Sequence, residues 1–81
     1  MRPKSILRLQ LGVLRLLRSI RKNKIPSLTY STLMEKVAQQ LNLDPLQWRV
    51  KMVTAIDQLI TEKRIVVTNS KFMRLKLRES R

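Results

Sequence analysis

Eighty-one residues make one small domain, and an apolar fraction of 43% is enough for a modest core, which argues against a disordered chain. Cysteine and histidine are absent, so a disulfide framework and the usual zinc sites are excluded. The formal net charge of +13 is large for this size and points to a polyanionic partner, of which nucleic acid is the commonest.

The charge is uneven. Residues 1–24 hold eight bases (Arg2, Lys4, Arg8, Arg15, Arg18, Arg21, Lys22, Lys24) and no acid. Residues 25–62 are close to neutral, with Lys36, Arg49 and Lys51 against Glu35, Asp44, Asp57 and Glu62. Residues 63–81 hold seven bases and one acid, Glu79. The positive field therefore belongs to the two flanks of the sequence.

A first helix is predicted over about 5–22. Ile6, Leu9, Val13, Leu16, Leu17 and Ile20 recur at helical spacing, with Arg8, Arg15, Arg18 and Lys22 on the other side. Leu7, Leu11 and Leu14 widen the apolar stripe beyond what one core face needs, which leaves room for a homodimer seam. Gly12 costs this helix about 1 kcal/mol relative to alanine unless another segment must approach closely there. An arginine-rich amphipathic helix without acids also has the character of an organellar transit peptide or of a helix lying on an anionic membrane. Against the transit reading, residues 25–81 alone would lack one helix of the core. No run of apolar residues is long enough for a transmembrane segment.

Ile25-Pro26 breaks the helix, since a residue before proline avoids helical geometry. Ile25 and Leu28 suit a short strand, with Pro26 tolerable at an edge. A second helix is expected over about 31–41, with Thr32 and Glu35 at capping-box spacing and Leu33, Met34, Val37, Ala38 and Leu41 as its stripe. Asn42 can close it in a left-handed conformation.

The third helix is expected over about 45–63. Asp44 is its N-cap, Pro45 its first residue, and Gln47 stands at capping-box distance. Met52, Val53, Ile56, Leu59 and Ile60 fall on one face, and Gln47, Lys51, Thr54, Gln58 and Thr61 on the opposite one. The period then changes to two. Ile65–Thr68 and Phe72–Arg78 read as strands around a turn of Asn69, Ser70 and Lys71, with Met73, Leu75 and Leu77 pointing one way and Arg74, Lys76 and Arg78 the other.

The order helix, short strand, helix, turn, helix, hairpin resembles the winged helix-turn-helix superfamily over about residues 6–78. The resemblance is carried by IPSL, TYSTLMEKVAQQLNLD, PLQWRVKMVTAIDQLITEKR and the hairpin IVVTNSKFMRLKL. It implies a mainly helical fold with a small β-sheet, a single winged-helix domain spanning 1–81. It also implies a third helix that enters the DNA major groove. One departure is the missing glycine between third helix and hairpin, where Lys63 and Arg64 stand. Members that bind only proteins exist, so the fold alone does not fix function.

Mapped onto that resemblance, Gln47, Lys51, Thr54 and Gln58 are the candidate base readers, since Gln can bond adenine bidentately and Lys can reach guanine acceptors. Lys63, Arg64, Lys71, Arg74, Lys76 and Arg78 are the candidate phosphate or minor-groove ligands on the hairpin. Arg15, Arg18 and Lys22 are possible further phosphate contacts. Arg49 either packs its stem on the core or reaches a phosphate, and Trp48 is either half-buried or a stacking platform for single strands. With scattered carboxylates and no His, Cys or glycine-rich phosphate loop, no enzyme, metal or cofactor is expected. The expected function is that of a small DNA-binding protein, a transcriptional regulator or chromosome-associated factor. It would sit in cytoplasm, nucleoid or nucleus, with organellar targeting by the first helix as an alternative. RNA or ribosome binding, and docking of an acidic protein, are the rival readings.

Overall fold

A computed structural model describes residues 3–78. Arg2, Glu79 and Arg81, which enter the charge distribution above, lie outside the described residues. Three helices pack against a small sheet: α1 (Lys4–Lys22), β1 (Leu28–Thr29), α2 (Tyr30–Leu41), α3 (Pro45–Thr61), β2 (Ile65–Asn69) and β3 (Arg74–Leu77). This is the winged-helix arrangement expected from the element order.

The core lies where the three apolar stripes meet. Leu9, Val13 and Leu17 of α1, Leu33 and Val37 of α2, and Met52, Ala55, Ile56 and Leu59 of α3 are fully buried. Ile65 and Leu75 close the core from the sheet side. Burying each such side chain stabilises by about 1.5–3 kcal/mol relative to exposure. Gly12 faces α2, and a Cβ there would stand 3.3 Å from Leu41 Cδ1 and 3.5 Å from Val37 Cγ1. The close neighbours are thus side chains of α2. Leu14 is buried in the core, so the surplus apolar positions on α1 reduce to Leu7 and Leu11, both exposed.

The sheet is antiparallel, in the order β1-β3-β2. Leu28 pairs with Leu75 and Thr29 with Arg74 on one side of β3. On the other side Ile65 pairs with Leu77 and Val67 with Leu75, and a bulge at Thr68 lets Asn69 face Arg74.

Several boundaries differ from the sequence reading. α2 begins at Tyr30, and its cap is Thr29, whose hydroxyl oxygen accepts from the Thr32 N–H at 3.3 Å. β1 runs straight into α2, so the last strand residue is already at cap position and displaces the Thr32–Glu35 box. Ile25 is exposed and outside the strand. α3 ends at Thr61 instead of 63, and the hairpin turn reaches Met73 instead of stopping at Lys71. Met73 takes φ 48, which removes it from the strand alternation, and it is exposed. At the start of α3, Asp44 is the cap, with its carboxylate accepting from the Leu46 N–H at 3.0 Å.

The three helices end alike. After α1, Ile25 N–H donates to Ile20 O at 2.9 Å and Lys24 N–H to Arg21 O at 3.1 Å. After α2, Leu43 N–H reaches Ala38 O and Asn42 N–H reaches Gln39 O. After α3, Arg64 N–H reaches Leu59 O and Lys63 N–H reaches Ile60 O. Each is a Schellman pair around a left-handed residue: Lys24 (φ 65), Asn42 (φ 56) and Lys63 (φ 62). The glycine missing before the hairpin is thus replaced by a lysine in glycine's conformation.

Candidate nucleic-acid interface

The candidate site residues fall in three groups, on α3, the hairpin and α1. On α3, Gln47, Lys51 and Thr54 are exposed, as their spacing predicts. Lys51 Nζ lies 4.8 Å from the centroid of the Trp48 ring, and Trp48 itself is half-buried. The Thr54 hydroxyl donates to Val50 O at 3.0 Å, within its own helix. Gln58 departs from expectation. It is half-buried, and its amide oxygen accepts from Gln10 Nε2 of α1 at 3.0 Å. The same Gln10 nitrogen lies 3.3 Å from Ala55 O. Gln58 is turned sideways because a buried amide on α1 requires a partner there.

The outer face of α3 also holds an acid and two apolar side chains. The Tyr30 hydroxyl, 2.8 Å from Asp57 Oδ1 and 3.3 Å from Val53 O, ties this face to the start of α2. Burial pushes the Tyr30 phenol above its ordinary range, and the bond to Asp57 and its charge push the same way. Tyr30 also donates its backbone N–H to Met73 O at 2.8 Å, so one residue joins α2, α3 and the hairpin. Leu46 and Val50, 84% and 77% exposed, stand one turn apart on the solvent side of α3. Sequence reasoning passed over both, although successive steps of four residues back from Thr54, to Val50 and then to Leu46, place them toward its face.

On the hairpin, Lys63, Arg64, Lys71 and Arg78 are exposed. Arg64 and Arg78 meet at its base, where the Arg78 N–H donates to Arg64 O at 3.1 Å. Arg74 was expected to point outward as a free cation. It is half-buried instead, and its Nε donates to Ser27 Oγ at 2.8 Å and its Nη2 to Ser27 O at 2.9 Å. Ser27 is buried just ahead of β1, so the planar guanidinium fork is used to clamp one segment to another. Lys76 is half-buried beside a cavity of about 130 Å³ that it lines with Leu17, Ile20, Arg21, Pro26 and Leu77. This cavity brings the C-terminal end of α1 next to β3, so the two basic flanks of the sequence meet in space.

On α1, Arg8, Arg15, Arg18, Arg21 and Lys22 are all exposed. No helix among the described residues is long and apolar enough to cross a membrane. Compared with family models, curated proteins and solved structures, the chain finds no match.

Proposed function

We propose that this domain binds double-stranded DNA, with affinity supplied mainly by neutralisation of phosphates and a modest sequence preference supplied by α3. The observation that carries the reading is the meeting of two basic flanks around the α1–β3 cavity, on a winged-helix arrangement whose middle is nearly neutral. The phosphate ligands are then Arg15, Arg18, Arg21 and Lys22 of α1 with Lys63, Arg64, Lys71, Lys76 and Arg78 of the hairpin. Arg74 serves the fold, and Gln47, Lys51 and Thr54 remain the residues positioned to meet base edges. Lysine in place of glycine at 24 and 63 fits this reading, because it keeps positive charge at two helix ends at the cost of backbone strain.

The exposure of Leu46 and Val50 favours a second reading, in which α3 docks a protein. Competition at one fixed salt concentration separates the two. A labelled duplex is displaced by unlabelled duplex DNA, single-stranded DNA or structured RNA of equal length. Under the proposal, duplex DNA competes best. RNA as the best competitor would move the reading to RNA, and absence of binding to all three would leave the protein-docking surface.

A further inference from the structure

The tip of the hairpin carries the chain's one phenylalanine, and 59% of it is exposed. Turn tips ordinarily carry small or polar residues. Here the backbone that carries the ring is held in place. The Phe72 N–H donates to Asn69 Oδ1 at 3.2 Å, which closes the turn around it. Met73 behind it is locked in a left-handed conformation, φ 48, while its carbonyl accepts from Tyr30 N–H. Lys71 Nζ lies 5.5 Å from the ring centroid. An aromatic ring presented to solvent beside a cation, on a turn stabilised in a strained form, is organised to meet something planar and anionic.

We propose that Phe72 stacks on a nucleobase, and that the preferred ligand offers unpaired bases next to a duplex segment. This rests on the nucleic-acid reading given above. Every base has a π-face, so stacking is tolerant of sequence, and the nearby lysine meets the adjacent phosphate. Wedging one ring between paired bases requires unstacking them, which opposes binding, whereas an unpaired base is open to the ring. Trp48, the other aromatic suited to stacking, is half-buried, whereas Phe72 is exposed, which leaves Phe72 as the presented one.

The test compares two DNAs of equal length and phosphate count, a fully paired duplex and the same duplex with a central mismatched bubble. Fluorescence anisotropy at fixed salt gives Kd for the wild type, Phe72→Ala and Phe72→Trp. The wild type should favour the bubble by about 5- to 100-fold, the range of one base–aromatic stack. Phe72→Ala should lose that preference and Phe72→Trp should keep it. The dependence of log K on log salt should be the same for wild type and Phe72→Ala, because no phosphate contact is removed. Equal binding of both DNAs by the wild type, or a preference retained by Phe72→Ala, would overturn the proposal while leaving duplex binding in place. No binding to either DNA at any salt would overturn the nucleic-acid reading, and this one with it.

Discussion

At Lys24, Asn42 and Lys63 the backbone turns left-handed, and none of the three is glycine. A non-glycine residue in this region costs of order 1–3 kcal/mol, least for asparagine. Glycine would remove the strain but would add about 0.4–1 kcal/mol of unfolded-chain entropy. Lys63→Gly should therefore raise stability by roughly 0.5–1 kcal/mol, and Lys63→Val, whose branched side chain tolerates this region worst, should lower it by about 1–2 kcal/mol. Urea midpoints of the two variants check this, and the same sign for both would mean the position is unstrained. Tyr30, the chain's one tyrosine, gives a second residue-scale expectation. Its phenol is held above its usual value of about 10 by burial first and Asp57 second. The folded state thus keeps a proton that the unfolded state gives up above that pH. Tyr30's contribution is complete below about pH 10 and is lost as pH rises toward the folded phenol's raised value. Phenolate absorbance should appear at higher pH in the native protein than in urea. Asp57→Asn should lower the native midpoint without bringing it to the urea value. A native midpoint at or below the urea value would count against the Tyr30–Asp57 contact.

Among the elements, β1 is the shortest, with two paired residues and Arg74 reaching across to Ser27. Hydrogen bonds from a charged group contribute about 1.5–3 kcal/mol when protected from water, and less at a half-buried site. Arg74→Ala should cost about 1–2 kcal/mol in urea unfolding, whereas Arg78→Ala, at an exposed position, should stay within about 0.5 kcal/mol. Equal effects would remove the clamp. The same residue marks the limit of what the sequence discloses. Period-two alternation put Leu75 inside, as found, and Arg74 outside, where it is half-buried instead. Alternation carries no information about Ser27, forty-seven positions earlier, whose buried oxygens capture the guanidinium. The helices were legible because their apolar stripes and caps at Asp44 and Asn42 act over a few residues. Thr29 as cap, Gln58 as partner of Gln10, and the outward ring of Phe72 were not, since each depends on what lies opposite in three dimensions.

At the scale of the whole molecule, what matters is that like charges are gathered despite their mutual repulsion. If five or six side chains of α1 and the hairpin each neutralise a phosphate, log K on duplex DNA should fall with log salt at a slope of about −5. Lys76→Ala with Arg78→Ala should flatten that slope by about 2, and should weaken binding to every duplex by a similar factor. Gln47→Ala should leave the slope unchanged and reduce discrimination between sequences by about 1–3 kcal/mol if it holds a base pair bidentately. A wild-type slope shallower than about −2 would contradict the electrostatic account.

The strand order has a bearing on how the molecule comes into being. β3 is the central strand, yet it follows β1 and β2 in the chain. While the polypeptide is being synthesised, β1 and β2 emerge with nothing between them to pair with. Ser27 waits for Arg74, and the Tyr30 N–H waits for Met73. The cavity between α1 and β3, with Arg21 and Lys76 in its lining, exists only after residues 74–77 have left the ribosome. A nascent chain that stops short of β3 thus lacks the strand that joins the α1 end to the hairpin. The three-stranded sheet can be completed only when its central strand, the last one made, becomes available.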